Sequence, residues 1–377
     1  MTYKNDLLIA TGLYPPDIGG PATYSKILNN ELPKRGFSVK ILNFGEVRHL
    51  PKLIRHLIYF WRISYLIPKS KVIYAQDPVS VGLPVMLACI LRRRSYFLKI
   101  VGDYAWEQGC QRFGVTDLLD NFSVRGDYPW AVKILKKIQL TVARRAQKII
   151  VPSEYLKKIV TNWGVNSERI VVIYNAFQPQ EIILNKKEVR AELGLGSGES
   201  QILISAGRLV PWKGFDLLIK IMPEIRMEFP RAKLFIAGSG PEKDNLEKVI
   251  RENNLSEFVK YLGQLNKEIL SKYLKAADLF VLNTAYEGFS HQLLEVMSLG
   301  TIALVTDTGG NPELIQSKDQ LFKYNNKESL VEAIKNLLKM TLEQKLQRQM
   351  SQKYVETTFT KDKMLENLIL TLELKNK

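Results

Sequence analysis

"SQILISAGRLVPWKGFDLLIKIMPEI", residues 200–225, decides the fold. An apolar run, Ile202–Ala206, has the length and composition of a buried strand. A short loop carrying Arg208, Lys213 and Gly214 follows, and "FDLLIKIMPEI" then reads as a helix. The next stretch, "AKLFIAGSGP" (232–241), is a second strand and loop, followed by the helical "EKDNLEKVIRENN" (242–254). Strand, helix and strand in succession imply a parallel pair with a crossover helix.

The pattern extends in both directions. Downstream come the short strand "VKYLGQL" (259–265), the helix "KEILSKYLKAA" (267–277), the strand "DLFVLNT" (278–284), the helix "HQLLEVMSLG" (291–300) and the strand "TIALVTD" (301–307). Upstream, "DLLIATGL" (6–13), "SVKILNF" (38–44), "KVIYAQDP" (71–78), "YFLKIVGD" (96–103) and "QKIIVPS" (147–153) are strands, and "ATYSKILNNELPKRG" (22–36) is a helix closed by Gly36. Apolar strands alternating with helices predict parallel sheets covered on both faces. A chain of 377 residues exceeds one ordinary core. The expectation is α/β, with two doubly wound domains and ligands at the strand carboxyl ends of a central cleft. The first domain is residues 1–180 and the second 181–357, with "NAFQPQEIILNKK" (175–187) as linker. A C-terminal helix, about 358–377, is expected to pack back on the first domain.

Composition narrows the function classes. Hydrophobic residues are 46% and charged residues 24%, an ordinary soluble composition. Two cysteines make no disulfide framework, which suits a reducing cytoplasm. The early run "LLIATGL" is too short for a signal segment and reads as a strand. The longest apolar run, "VSVGLPVMLACIL" (79–91), falls short of a membrane span and is expected to be a buried helix. Net charge is +16, of which residues 1–180 hold +14 and residues 181–377 only +2. The first half therefore faces something anionic. No nucleic-acid motif accompanies the charge. In residues 48–71, Lys52, Arg55 and Arg62 are interleaved with Leu, Ile, Tyr, Phe and Trp. That pattern fits an interfacial helix at an anionic membrane, and equally a core helix with a basic solvated face.

Three loops at strand ends carry candidate chemistry. Arg208 and Lys213 can neutralise a diphosphate, Arg by a bidentate grip and Lys as a point charge. In "YEGFSHQLLEVMSLG" (286–300), Gly288 allows a tight turn, Ser290 is a helix N-cap and Gly300 a stop. Glu287 would precede the helix and Glu295 lie about one and a half turns into it, at about 1.5 Å per residue. They would not touch. They can hold two ends of a ligand by its paired hydroxyls, or be two ordinary glutamates on a capped surface helix. Gly19 and Gly20, before the first helix, let backbone approach a ligand closely. The three histidines and two cysteines show no metal-ligand spacing.

"AGRLVPWKGFDLLI", "IAGSGPE", "YEGFSHQLLEVMSLG" and "VTDTGGNPELI", in this order and spacing, resemble the retaining nucleotide-sugar glycosyltransferases of family 4. The resemblance covers nearly the whole chain and is strongest from Ile202 to Ile315. It implies the GT-B fold of two Rossmann-like domains, a nucleotide-diphosphate sugar donor, and a glycan or lipid-linked acceptor in cell-envelope synthesis. It implies no metal and no cofactor. Arg208 and Lys213 would hold the donor diphosphate and Glu295 the ribose. Glu287, with backbone near Phe289 and Ser290, would position the transferred sugar. Gly19 and Gly20 would lie near the phosphates, and Gln264 and Leu265 would meet the base. Where the family often has a histidine, Gly102 and Asp103 stand here, so Asp103 is the candidate substitute. Ile302 stands where proline is common. The alternatives are a nucleotide-sugar epimerase of similar fold and a basic nucleic-acid-binding protein. The expected location is cytoplasmic, at the inner face of the membrane.

Overall fold

The structure, a computed structural model, describes residues 3–17, 19–177, 182–196, 200–315, 317–349 and 351–375. The chain divides into two compact units. One takes residues up to Ala176 and returns from Lys361 onward; the other runs from Phe177 to Thr360. The expected boundary at 180/181 and part of the expected linker fall at 178–181, outside the described residues.

Among the described residues, the first unit holds six parallel strands: β1 (Asn5–Thr11), β2 (Val39–Asn43), β3 (Ser70–Gln76), β4 (Phe97–Lys99), β5 (Ile149–Val151) and β6 (Ile170–Val172). Their order is β2-β1-β3-β4-β5-β6. Among the connecting helices are α1 (Gly20–Glu31), α2 (Lys52–Leu66), α3 (Gly82–Leu91) and α4 (Tyr104–Arg112). The strands are apolar because helices cover both faces. Leu7, Ile9, Tyr74, Phe97 and Ile150 make one core with Tyr24 and Leu28 of α1. The helix Lys361–Thr371 completes it with Met364, Leu365 and Leu368. Glu31–Lys361 (3.2 Å) and Arg35–Asp362 ion pairs flank the seam, and the Ala176 N–H donates to the Met364 sulfur at 3.2 Å.

The second unit repeats the design with β7 (Ile202–Ala206), β8 (Lys233–Ala237), β9 (Val259–Gly263), β10 (Leu279–Leu282), β11 (Ile302–Thr306) and β12 (Leu321–Phe322). All pairings are parallel, in the order β12-β11-β10-β7-β8-β9. Leu203, Leu234, Ile236, Val281 and Leu304 pack against Leu218, Ile219 and Ile225 of the helices that follow β7. The expectation of two parallel-sheet α/β units is met.

The run 79–91 holds α3 and is buried over most of its length, as expected: Val79, Val81, Val85, Met86, Ala88 and Cys89 face inward. Leu87, Ile90 and Leu91, on its outer side, are exposed.

Candidate functional site

Because the second sheet is wholly parallel, the carboxyl ends of its strands share one edge. The loops leaving β7, β8, β9, β10 and β11 therefore meet there, and hydrogen bonds join them pairwise. At the β7 and β8 ends, Gly207 N–H donates to Ala237 O (3.0 Å), Leu209 N–H to Ser239 O (2.9 Å) and Glu242 N–H to Leu209 O (3.1 Å). The β8 loop is joined to the β9 end by Gly238 N–H to Gly263 O (2.8 Å) and the Ser239 hydroxyl to Gln264 Oε1 (3.2 Å). Gln264 is exposed and Leu265 half-buried; Asn266 then caps the helix Lys267–Ala276 by accepting from Ile269 N–H at 2.9 Å.

Arg208 leaves β7 into solvent, its guanidinium 5.7 Å from the Trp212 ring centroid. A 3-10 turn, Pro211–Lys213, follows, and Gly214 at φ 49° starts the next helix. Asn283 donates to Gly214 O at 3.0 Å, and a Cβ at Gly214 would sit 2.3 Å from that amide nitrogen. Only glycine fits there. Ala285 N–H donates to Trp212 O at 2.8 Å. These bonds fix the Lys213 turn against the β10 loop, and the outcome is an ion pair between Lys213 and Glu287. The two side chains are 13% and 22% exposed.

Glu287 is braced from its other side by the β11 loop. Gly310 N–H donates to Glu287 O at 2.7 Å. Gly309 has φ 64°, and a Cβ there would lie 2.4 Å from Glu287 O. The hydroxyls of Thr306 and Thr308 donate to Thr284 O at 2.7 and 2.8 Å. We expect Gly309→Ala to lower stability by about 2–4 kcal/mol, from a left-handed alanine plus a backbone clash. A urea titration measures this, and an unchanged midpoint would refute the bracing role.

Beyond Glu287, the Ser290 hydroxyl accepts Leu293 N–H at 3.2 Å and caps the helix His291–Ser298. Gly300 at φ 73° lies just beyond its end. The Phe289 ring is buried against Phe359, centroids 5.5 Å apart, so only its backbone faces the loop edge. Glu295 lies inside the helix, with Gln292 Nε2 at 3.4 Å and Lys267 Nζ at 3.9 Å. Burial raises the Glu295 carboxyl above its ordinary pKa, and Lys267 offsets this only in part. Lys267 begins the helix after Gln264–Leu265, so Glu295 and that backbone share one end of the loop edge.

The remaining candidates lie in the other unit. Gly19, at φ 139°, is the N-cap of α1, and Gly20 is its first residue; among the described residues no side chain caps that end. Asp103 is fully buried. Its Oδ1 accepts Trp106 N–H (2.9 Å) and Gln139 Nε2–H (3.0 Å), which makes it the cap of α4. Burial raises its carboxyl pKa.

Sequence reasoning named the charged residues of the second unit but missed their braces: Asn283, Thr284, Thr306, Thr308 and Lys267. The glycine pair in "VTDTGGNPELI" was a usable signal, since adjacent glycines at a strand end mark close backbone approach.

The family described as Glycosyl transferases group 1 matches residues 185–356, and Glycosyltransferase Family 4 matches residues 115–181. An uncharacterized glycosyltransferase of Methanocaldococcus jannaschii is 34% identical over 182 residues, covering 47% of this chain and 46% of that one. One of the subunits of human phosphatidylinositol N-acetylglucosaminyltransferase is 25% identical over 326 residues, covering 83% of this chain and 64% of that one. Both matches thus span less than two thirds of the relative's own length. The crystal structure of Anabaena Alr3699/HepE in complex with UDP and glucose superposes with a TM-score of 0.76 at 18% identity, covering 98% of this chain and 99% of that one. The two family matches follow one another along the chain and together take in more than half of it, including every strand-end loop described above for the second unit. The chain belongs to the family 4, group 1 glycosyltransferases and has their GT-B fold.

Proposed function

We propose that this protein transfers a sugar from a nucleotide-diphosphate sugar to a glycan or lipid-linked acceptor, with retention and without a metal. The observation that carries the reading is the Lys213–Glu287 ion pair on the loop edge that also holds Arg208 and Glu295. The diphosphate sits against Arg208 and Lys213. Glu295 accepts the ribose hydroxyls beside the Gln264–Leu265 backbone, which meets the base. Glu287 and the backbone at Phe289 and Ser290 hold the sugar. When the sugar–phosphate bond breaks, negative charge grows on the leaving diphosphate, and the two cations are aimed at it. Two fixed positive charges can serve that role without a metal. Glu287 positions the sugar for same-face attack by the acceptor hydroxyl, which gives retention.

The relatives' transferase descriptions favour transfer over the epimerase reading. The human relative is named for phosphatidylinositol, and the Anabaena protein binds UDP and glucose. The first supports a lipid-linked acceptor here and the second a sugar nucleotide. The first unit takes the acceptor, and the protein works at the inner face of a membrane in cell-envelope synthesis. Asp103 serves as a helix cap in this reading, since a sealed carboxylate cannot reach a sugar.

The test is a binding and turnover screen of UDP-, GDP- and ADP-sugars, with the best donor then followed against pH. A sugar nucleotide keeps its diphosphate charge through mild acid, so the profile reports the protein. Glu295 must be ionised to accept two hydroxyls, and burial has raised its pKa. Affinity is therefore expected to fall as pH drops through that raised value. Glu295→Gln should weaken binding about tenfold and flatten the profile. Binding to no sugar nucleotide, or an unchanged profile in Glu295→Gln, would overturn the donor assignment.

A further inference from the structure

α2 and α3 pack side by side in the first unit. Ile54, Leu57, Trp61 and Tyr65, spaced by three, four and four residues, make one outward stripe on α2; Trp61 is 59% and Tyr65 65% exposed. The opposite side of α2 is anchored, with Tyr59 and Ile63 fully buried and the Tyr59 hydroxyl donating to Leu42 O at 3.0 Å. Leu87, Ile90 and Leu91 of α3 are likewise exposed. Seven large apolar side chains thus face outward from two neighbouring helices. A soluble surface scatters such residues and does not stack them in helical register.

Charge identifies the occupant. From Val47 to Arg94 the chain carries nine Lys and Arg residues against a single acid, Asp77. Asp77 is turned onto its own backbone, accepting the Val79 and Ser80 N–H groups at 2.6 and 2.7 Å. Exposed Arg92 and Arg93 end α3. Lys69 just beyond α2 lies 3.3 Å from the Tyr65 ring centroid. Arg62 pairs with Glu46 at 2.9 Å on the α2 flank. An apolar ridge with Trp and Tyr and an almost wholly basic surround complements an anionic lipid interface, where aromatic rings sit at headgroup depth and cations meet lipid phosphates.

We propose that the α2–α3 ridge is the surface by which this protein docks on anionic bilayers, with Leu57, Trp61, Leu87 and Ile90 entering the headgroup boundary and Arg92 and Arg93 contacting the lipid phosphates. The proposal rests on the membrane-side reading of the function. It names the face that meets the lipid and leaves the donor residues of the other unit untouched.

The test is co-sedimentation of the full chain with phosphatidylcholine vesicles, with and without phosphatidylglycerol. Wild type should partition roughly tenfold or more in favour of the anionic vesicles. Leu57→Ser/Trp61→Ser should lose most vesicle binding, and Arg92→Ser/Arg93→Ser should lose the preference for anionic lipid. Both variants should keep the wild-type unfolding temperature and its shift by nucleoside diphosphate, since the substituted side chains are exposed. Wild type that stays with neither vesicle, or ridge variants that bind like wild type, would overturn the proposal while leaving the donor reading intact. A wild-type dimer in light scattering that Leu57→Ser/Trp61→Ser converts to monomer would overturn it too, by assigning the ridge to a second copy. Loss of the nucleotide shift in wild type would count against the donor reading alone.

Discussion

Arg208→Ala and Lys213→Ala are each expected to lower kcat by about 10²–10³, because in the proposed reaction each removes a cation aimed at charge that grows on the leaving diphosphate. Their binding phenotypes should differ from that of Glu287→Gln. Lys213 is paired with Glu287. A bound diphosphate competes for that ammonium, so the donor exchanges one anionic partner for another and frees Glu287 to turn to the sugar. Glu287→Gln removes the competitor. It should bind nucleoside diphosphate as well as wild type or better, yet turn over sugar nucleotide at least about 10²-fold more slowly. Lys213→Ala should lose the thermal shift by nucleoside diphosphate and leave Glu287 half-buried without its ammonium. Thermal shift and single-turnover assays on the three variants separate these cases. Nucleoside diphosphate binding that is unchanged in both Arg208→Ala and Lys213→Ala would refute the diphosphate seat. Turnover unchanged in Glu287→Gln would refute the positioning role.

The ion pair also marks how far sequence reading could go. Strand runs such as Ile202–Ala206 and Ile302–Thr306 were legible because a strand covered on both faces must be apolar throughout. The Ser290 cap and the stop at Gly300 were legible because capping chemistry is local. β12, two residues long, is too short for any periodicity, while β6, as short as β4 and β5, went unread in the apolar run 170–173. The spacing of Glu287 and Glu295 correctly set them apart along the β10 loop and its helix. It could not show that Lys213, 74 residues upstream, closes on Glu287. That contact depends on β10 lying beside β7, which is a property of sheet order and has no local signature. The exposed side of α3 was not legible for a related reason. Its apolar composition says that it avoids water, but whether core or lipid covers each side is decided by its place on the sheet.

The same argument from place in the sheet identifies Lys99, which composition alone would have counted as one more surface cation. It ends β4, 2% exposed. Continuing the β3–β4 register sets it beside Gln76, itself opposite Thr11 of β1. The Lys99 ammonium has no hydrogen-bond partner among the described residues, and the nearest aromatic face is Tyr24, 4.0 Å from the nitrogen. Burial pushes its pKa down to about 7, against about 10.4 for a free lysine. The sign follows from linkage. Between those two values the unfolded chain holds a proton that the folded chain lacks, so this group costs stability most below pH 7 and less as pH rises toward 10. A shift of this size corresponds to about 3–5 kcal/mol at neutral pH. Lys99→Met keeps an unbranched chain of similar length and removes the charge. It is expected to stabilise the protein by about 3–5 kcal/mol at pH 7, by the same conversion, and to flatten the rise in stability between pH 7 and 9. Urea unfolding of both proteins at the two pH values measures this. A Lys99→Met protein no more stable than wild type would mean that the ammonium has a compensating partner. Most single substitutions destabilise, so a large gain from a buried site would be diagnostic of an uncompensated charge carried in the wild-type core.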